Sequence, residues 1–350
     1  MRFTLRRKAV VLAAVLTAAA ASPGQANAQG IVHCAGSNSS GIGTGDAASV
    51  GLGQVDPIVQ RGTPVSSHMH QFFGSTQLLQ LRRPDRANYT DLQNSAATTS
   101  CDIATDTAAY WTPPLSFKAT GALVPVRRME AYYLAWNNTP TDPAGTTRPF
   151  PADLRIVAGD TTMAAATLMD TGHLSWSCGN FSNKSNVAGF RFATPAEARC
   201  DQAQLLKPGH GKVLLTAAVQ FPSCWDGLLN NHAADGNTAD FTGARSTGVV
   251  NHLAYVQGER CPAGFGRHLP TLRVNISWNY AGDGRGVQLS SGPGYTLHGD
   301  FFNTWKPTGL QDMVRTCINT SLTEIQVHER FPGICGPPIV VPATHQARAS

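Results

Sequence analysis

TLRVNISWNY, residues 271–280, sets Leu272, Val274, Ile276, Trp278 and Tyr280 against Arg273, Asn275, Ser277 and Asn279. A two-residue period of this kind puts the apolar set on one face of a β-strand and the polar set on the other. Weaker runs of the same type occur at 127–136, 154–157, 174–178, 187–192, 213–221, 249–256 and 287–290. Gly, Pro and Asn turns separate them, and no alternation of strands with long helical patterns appears. The spacing therefore predicts a mainly β protein: an antiparallel, jelly-roll-like β-sandwich domain with long loops and few short helices.

Helix signals are confined to two places. Thr194-Pro195-Ala196-Glu197 is a capping box with proline at the first helical position. Leu310, Met313, Val314 and Cys317 form an apolar stripe at helical spacing, which predicts a short helix within 306–330 packed on the domain. Residues 29–55 are rich in Gly and Ser and read as an irregular arm, 56–305 as the β domain, and 331–350 as an extended, Pro-rich tail. The polar stretches 137–151 and 229–248 read as long loops, of a length that often carries function.

The chain begins with a compartment signal. Arg2, Arg6, Arg7 and Lys8 precede an apolar run from 9 to 21, and Ala26-Asn27-Ala28 supplies small residues for cleavage. This predicts a secretory signal peptide over 1–28 and a secreted, extracellular or periplasmic protein without a membrane span. Without those residues 23 basic side chains face 22 acidic ones, a net +1. That balance gives no concentrated basic surface, so nucleic acid is excluded as a partner. Charged residues make up 14% of the chain, against roughly 25% in an average domain, leaving a polar surface of low charge. The oligomeric state is not set by any of these features.

Eight cysteines lie at 34, 101, 178, 200, 224, 261, 317 and 335. An even number in an oxidising compartment predicts up to four disulfides. Connectivity stays open, although short loops favour 178–200 and 317–335. A zinc-ribbon reading fails because no C-x2-C pair exists.

SSHMHQFFG, residues 66–74, places His68 and His70 two positions apart with no charged neighbour. On a strand both imidazoles would share one face. LHGDFFNTW repeats the theme with His298 and Asp300, VNHLAY carries His252 and Tyr255, and FPSCWDG carries Trp225 and Asp226. Strand ends brought together would make one candidate site. In it His70, His298, Asp300, Asp226, His252 and Tyr255 are candidate acid–base groups, and Trp225 and Trp305 candidate sugar platforms. His68, His70 and His298 form a candidate metal set for zinc or copper, because a His-x-His pair plus a third histidine leaves a coordination position open. The competing reading is structural throughout. Imidazole serves equally as a hydrogen-bond anchor, Asp226 before Gly227 can shape a turn, and tryptophans commonly sit in cores. Phe72 and Phe73 are expected to split between the core and the floor of the site. The remaining histidines are assigned structural roles. G-x-S-x-G, H-E-x-x-H and P-loop motifs are absent from the sequence, and a two-carboxylate glycosidase pair would have to come from aspartates such as Asp226 and Asp300.

DPIVQRGTPVSSHMHQFFG (56–74), CDIATDTAAYWTPPL (101–115), VQFPSCWDG (219–227), NHLAYV (251–256), CPAGFGRHLPTLRVNISW (261–278) and GYTLHGDFFNTW (294–305) occur in this order. Together they resemble the domain-of-unknown-function family numbered nineteen-ninety-six, whose members are secreted proteins of fungi and actinomycetes. The resemblance assigns Ser67, His68, His70, Gly74, Cys224, Trp225, Asp226, Gly227, His252, Tyr255, His298, Asp300 and Trp305 to the family's motifs. The stretch 228–250 departs from the family's shorter linker, so His232 and Asp235 are not carried over. The resemblance implies no activity.

Export, the polar surface, and tryptophans beside ionisable groups point to an enzyme on extracellular polysaccharide, a hydrolase or a lyase. The alternatives are a non-catalytic glycan-binding or surface protein, and a zinc or copper protein. Gln29 at the expected new N-terminus rules out one copper chemistry, the brace that uses an N-terminal histidine.

Overall fold

The computed structural model describes residues 29–35, 49–94, 97–135, 147–178, 191–201, 214–228, 249–250, 252–258 and 260–337. The signal peptide expected at 1–28, most of the strand expected at 187–192, the loop residues 136–146 and 229–248, and the tail from 338 lie outside them.

Two five-stranded antiparallel sheets form the body, with strands numbered in chain order. The first runs β1 (Gly30–Ala35), β6 (Val126–Leu134), β14 (Thr271–Trp278), β9 (Leu215–Gln220), β8 (Leu174–Cys178). The opening stretch is thus a central strand, with Val274 opposite Ala131 on one side and Val219 on the other. Its alternating Leu272, Val274, Ile276 and Trp278 are all buried in one core. The second sheet runs β2 (Gly51–Gly53), β3 (His70–Gly74), β4 (Ala109–Thr112), β16 (His298–Phe302), β7 (Arg155–Gly159). A two-stranded sheet pairs β5 (Leu115–Phe117) with β15 (Val287–Leu289). A small sheet orders β11 (Val249–Val250), β12 (Leu253–Ala254), β10 (Cys224–Trp225) and β13 (Arg267–His268).

The two large sheets pack face to face. Phe73, Tyr110 and Gly299 from the second meet Met129, Val219, Val274 and Ile276 from the first around one small gap. Gly299 permits this contact, since a Cβ there would stand 3.0 Å from Val219 Cγ1. Alternation along each strand then sends every second residue of the second sheet to its far side. There Phe72, Ala109, Trp111, Val157 and Phe302 pack under Val55, Ile58, Leu78, Ala87 and Leu92 in a second core. The expected split of the phenylalanines is observed, Phe73 between the sheets and Phe72 on the far face. The protein is therefore a β-sandwich with a third, irregular layer over one sheet.

Both short helices form as expected. Thr194 accepts the Glu197 N–H while the Glu197 carboxylate accepts the Thr194 N–H. Leu310, Met313, Val314 and Cys317 are all buried along Pro307–Met313 and the turn Val314–Ile318. Two expectations are corrected. Within the arm expected at 29–55, Gly30–Ala35 and Gly51–Gly53 are edge strands, one on each sheet, rather than irregular, and Val32 and Cys34 bury completely once β1 pairs with β6, while 36–48 lie outside the described residues. The start of the tail is folded too: Pro332–Cys335 is a helical turn tied by Cys335 to Cys317. The four disulfides are Cys34–Cys101, Cys178–Cys200, Cys224–Cys261 and Cys317–Cys335, with no free cysteine.

Candidate functional site

The far face of the second sheet also carries the histidines. In β3, His70 shares a face with Phe72, and in β16 His298 and Asp300 share one with Phe302, so all point into the layer beneath residues 55–92. Strand β4 lies between them, with Phe72 and Asp300 both opposite Trp111. β4 stops at Thr112, where Pro113 and Pro114 follow, and proline has no N–H to continue a ladder. His70 and His298 therefore face each other across the end of a strand, with ring centres 5.6 Å apart. On the other side, His298 pairs with Gly159 at φ +101°. A Cβ there would lie 2.3 Å from Leu297 O and 2.8 Å from His298 Cβ, so only glycine lets His298 sit where it does.

His68 is not on the strand. It lies on the bend before β3, and its side chain reaches the others through that turn. Its ring centre is 4.4 Å from that of His70 and 4.9 Å from that of His298. The expectation of two histidines on one strand face is corrected, although both rings enter the same place.

Three Nε2 atoms converge. His68 Nε2 is 3.1 Å from His298 Nε2, which is 3.4 Å from His70 Nε2. Two nitrogens on one tetrahedral zinc at ~2.05 Å stand about 3.3 Å apart, so the spacing fits a shared cation. The opposite ring nitrogens are held. His70 Nδ1 donates to Val55 O at 2.9 Å and His298 Nδ1 donates to Thr296 O at 3.0 Å. A neutral ring with its proton on Nδ1 presents a lone pair at Nε2, the arrangement of metal-ligating histidines. His68 Nδ1 meets Ser67 Oγ at 3.0 Å. Asp300 Oδ2 lies 3.9 Å from His298 Nε2, beside the triad.

The electrostatics agree with neutral ligands. Burial holds the His70 pKa well below its ordinary 6.5, and the neighbouring His298 and His68 add to the effect. Burial also lowers that of His68. His70 and His298 are buried, whereas His68 is half-buried and reaches solvent. A second group among the described residues, Cys34, Cys101 and Asp106, also lies within ligand distance. Its cysteines form a disulfide and have no thiolate to offer.

The other expected residues lie elsewhere. Asp226 and His252 flank the small sheet, just after β10 and just before β12, and pair with each other, His252 Nδ1 to Asp226 Oδ2 at 2.7 Å. Tyr255 donates to Gln220 O and stacks on His173 at 3.8 Å. Trp225 packs beneath the Arg267 guanidinium, 5.3 Å from its ring centre, and donates to Leu228 O. The single constellation expected from the sequence is thus two clusters on two sheets. Trp305 is 1% exposed and donates to Tyr133 OH inside the core, so it is no sugar platform. The indole's size and apolar face are best satisfied between the sheets. Val55, Thr296, Ser67 and Gln60, which hold the Nδ1 side of the triad, were not singled out for that role. Two hold it through backbone carbonyls, which leave no mark on the residue type.

No helix among the described residues is long and apolar enough to cross a membrane. Four disulfides fit an oxidising compartment. No curated protein and no solved structure matches the chain. The family model described as a domain of unknown function, DUF1996, matches residues 56–305, a span that holds the whole histidine triad and more than half of the chain, and the protein belongs to that family.

Proposed function

We propose that the protein is a secreted metalloprotein that binds one divalent transition metal, zinc or copper, on Nε2 of His68, His70 and His298. The convergence of those three nitrogens, with two Nδ1 atoms fixed on backbone carbonyls, carries the reading. Asp300, buried beside His298, supplies negative charge next to the bound cation and orients what enters. A divalent cation in this place supplies a Lewis acid. The export signal and the weakly charged, polar surface support extracellular polysaccharide as the substrate class, with hydrolysis or elimination as the reaction.

Elemental analysis of the purified protein tests the metal. The expected result is about one zinc or copper per chain, lost in His70→Ala and His298→Ala while the thermal transition is largely kept. Failure of the wild type to retain or take up either metal overturns the reading. A polysaccharide panel assayed for reducing ends and unsaturated sugars tests the substrate. Product abolished by a chelator supports the enzyme, whereas binding without product identifies a glycan-binding protein. Absence of both product and binding across the panel overturns the substrate class.

A further inference from the structure

The three histidines of the triad are not held alike. His70 and His298 direct Nδ1 at carbonyl oxygens, which only accept, so their protons are locked on Nδ1 and their Nε2 lone pairs are permanent. His68 directs Nδ1 at a hydroxyl, which can either give or receive. What that hydroxyl does is set by Gln60. The Ser67 backbone N–H can only donate, so the amide atom 2.6 Å from it is Gln60 Oε1. Gln60 Nε2 therefore donates to Ser67 Oγ at 2.9 Å. One Oγ lone pair is then used, leaving a hydroxyl proton and a second lone pair for His68.

Without a cation, three bare lone pairs 3.1 and 3.4 Å apart would repel one another, and His68 is the one ring whose proton is not locked. His68 Nε2 stands 3.1 Å from His298 Nε2, which is a bare lone pair, so the proton between them belongs to His68. Every bond in the chain then has one donor and one acceptor: Gln60 Nε2 to Ser67 Oγ, Ser67 Oγ to His68 Nδ1, and His68 Nε2 to His298 Nε2. Metal binding requires the opposite tautomer of His68. Nε2 must be bare, and Nδ1–H must donate to the free lone pair of Ser67 Oγ, whose own proton turns to solvent. One proton passes from Nε2 to solvent as the cation takes its place, and one reaches Nδ1 from solvent at the exposed Ser67, so the imidazole stays neutral.

We propose that Gln60 and Ser67 are positioning residues that let His68 change tautomer as the metal enters, making a site of two locked ligands and one switchable ligand. The inference rests on the metal reading above. It is the hydroxyl that matters, because neither a carbonyl nor an amide N–H could serve both states. In the metal-free protein the switchable ring caps the lone pair of His298, so that buried nitrogen is satisfied until a cation replaces the contact.

Long-range proton–nitrogen NMR of the full-length secreted chain, with labelled histidine and at neutral pH, reads tautomers directly. The metal-free protein is expected to show His70 and His298 protonated on Nδ1 and His68 on Nε2, each signal assigned by its loss in the His→Gln variant. Saturation with zinc ions should move only His68, to the Nδ1–H form. Ser67→Ala and Gln60→Ala should weaken zinc binding by about 10- to 100-fold, the range for residues that hold a ligand in place. Ser67→Thr, which keeps the hydroxyl, should bind as the wild type does, and thermal melts confirm that all three variants fold. A metal-free His68 already protonated on Nδ1, or Ser67→Ala binding zinc as tightly as wild type, overturns the switch and leaves the metal reading standing. A wild-type chain that takes up neither zinc nor copper overturns both.

Discussion

His70 illustrates how one side chain ties the site to stability. Its ring is fully buried, its Nδ1 is anchored on Val55 O, and burial together with its two histidine neighbours holds its pKa well below 6.5. In the unfolded chain the same group takes up a proton near 6.5. Its stabilising contribution is therefore complete above 6.5 and is lost as pH falls toward the depressed native value. The melting temperature of the metal-free protein should fall between pH 7 and pH 5, and less so in His70→Gln, which does not titrate. Equal pH dependence in variant and wild type would refute the assignment. The sequence exposed the candidate at this scale, since His-x-His and His-x-Asp are visible as letters. What it could not expose is the anchor, because Val55 and Thr296 contribute carbonyl groups that every residue owns.

At the scale of elements, the site depends on how strands end and pair. Gly159 holds φ +101° directly opposite His298, where a Cβ meets backbone at 2.3 Å. Gly159→Ala should cost ~1–3 kcal/mol from the strained backbone and should displace His298, so metal affinity falls with stability. Calorimetric titration with zinc ions beside thermal melts would show both. A fully stable variant with intact affinity would contradict the packing argument. Strand β1 is tied to the fold by Cys34–Cys101, which closes a separation of 67 residues. Removing that bridge by the paired Cys→Ala substitutions should cost about 4 kcal/mol on the loop-entropy estimate, measured by denaturant unfolding. His33 on the same strand is partly desolvated, yet its hydrogen bonds to Asp102 and Glu130 raise its pKa to about 9. A six-residue strand flanked by Gly and Ser gave too short an alternation to be read as one. Its partner strand, ninety-odd residues on, is what makes it a strand.

For the whole molecule, a two-sheet body with every cysteine paired makes a direct statement about solution behaviour. Thiol titration of the denatured, unreduced protein should find almost no reactive groups, and two or more per chain would break the framework of four bridges. Far-ultraviolet circular dichroism should show mainly β structure, and a helix-dominated spectrum would contradict the architecture. By itself the sequence determined the class of fold, since the two-residue period at 271–280 is a property of the backbone and needs no partner to be legible. It also determined the number of cysteines available to pair and the ordered motifs of the family. Tertiary structure alone decided which motifs meet. His70 and His298 are 228 residues apart, and they converge because β3 and β16 both pair with β4, which ends between them at two prolines. Asp226 and His252 look no different as letters, yet the strand order carries them to another sheet. Local pattern encodes the period of an element. Strand order and register come from burying all the apolar faces at once, and that is a property of the whole chain.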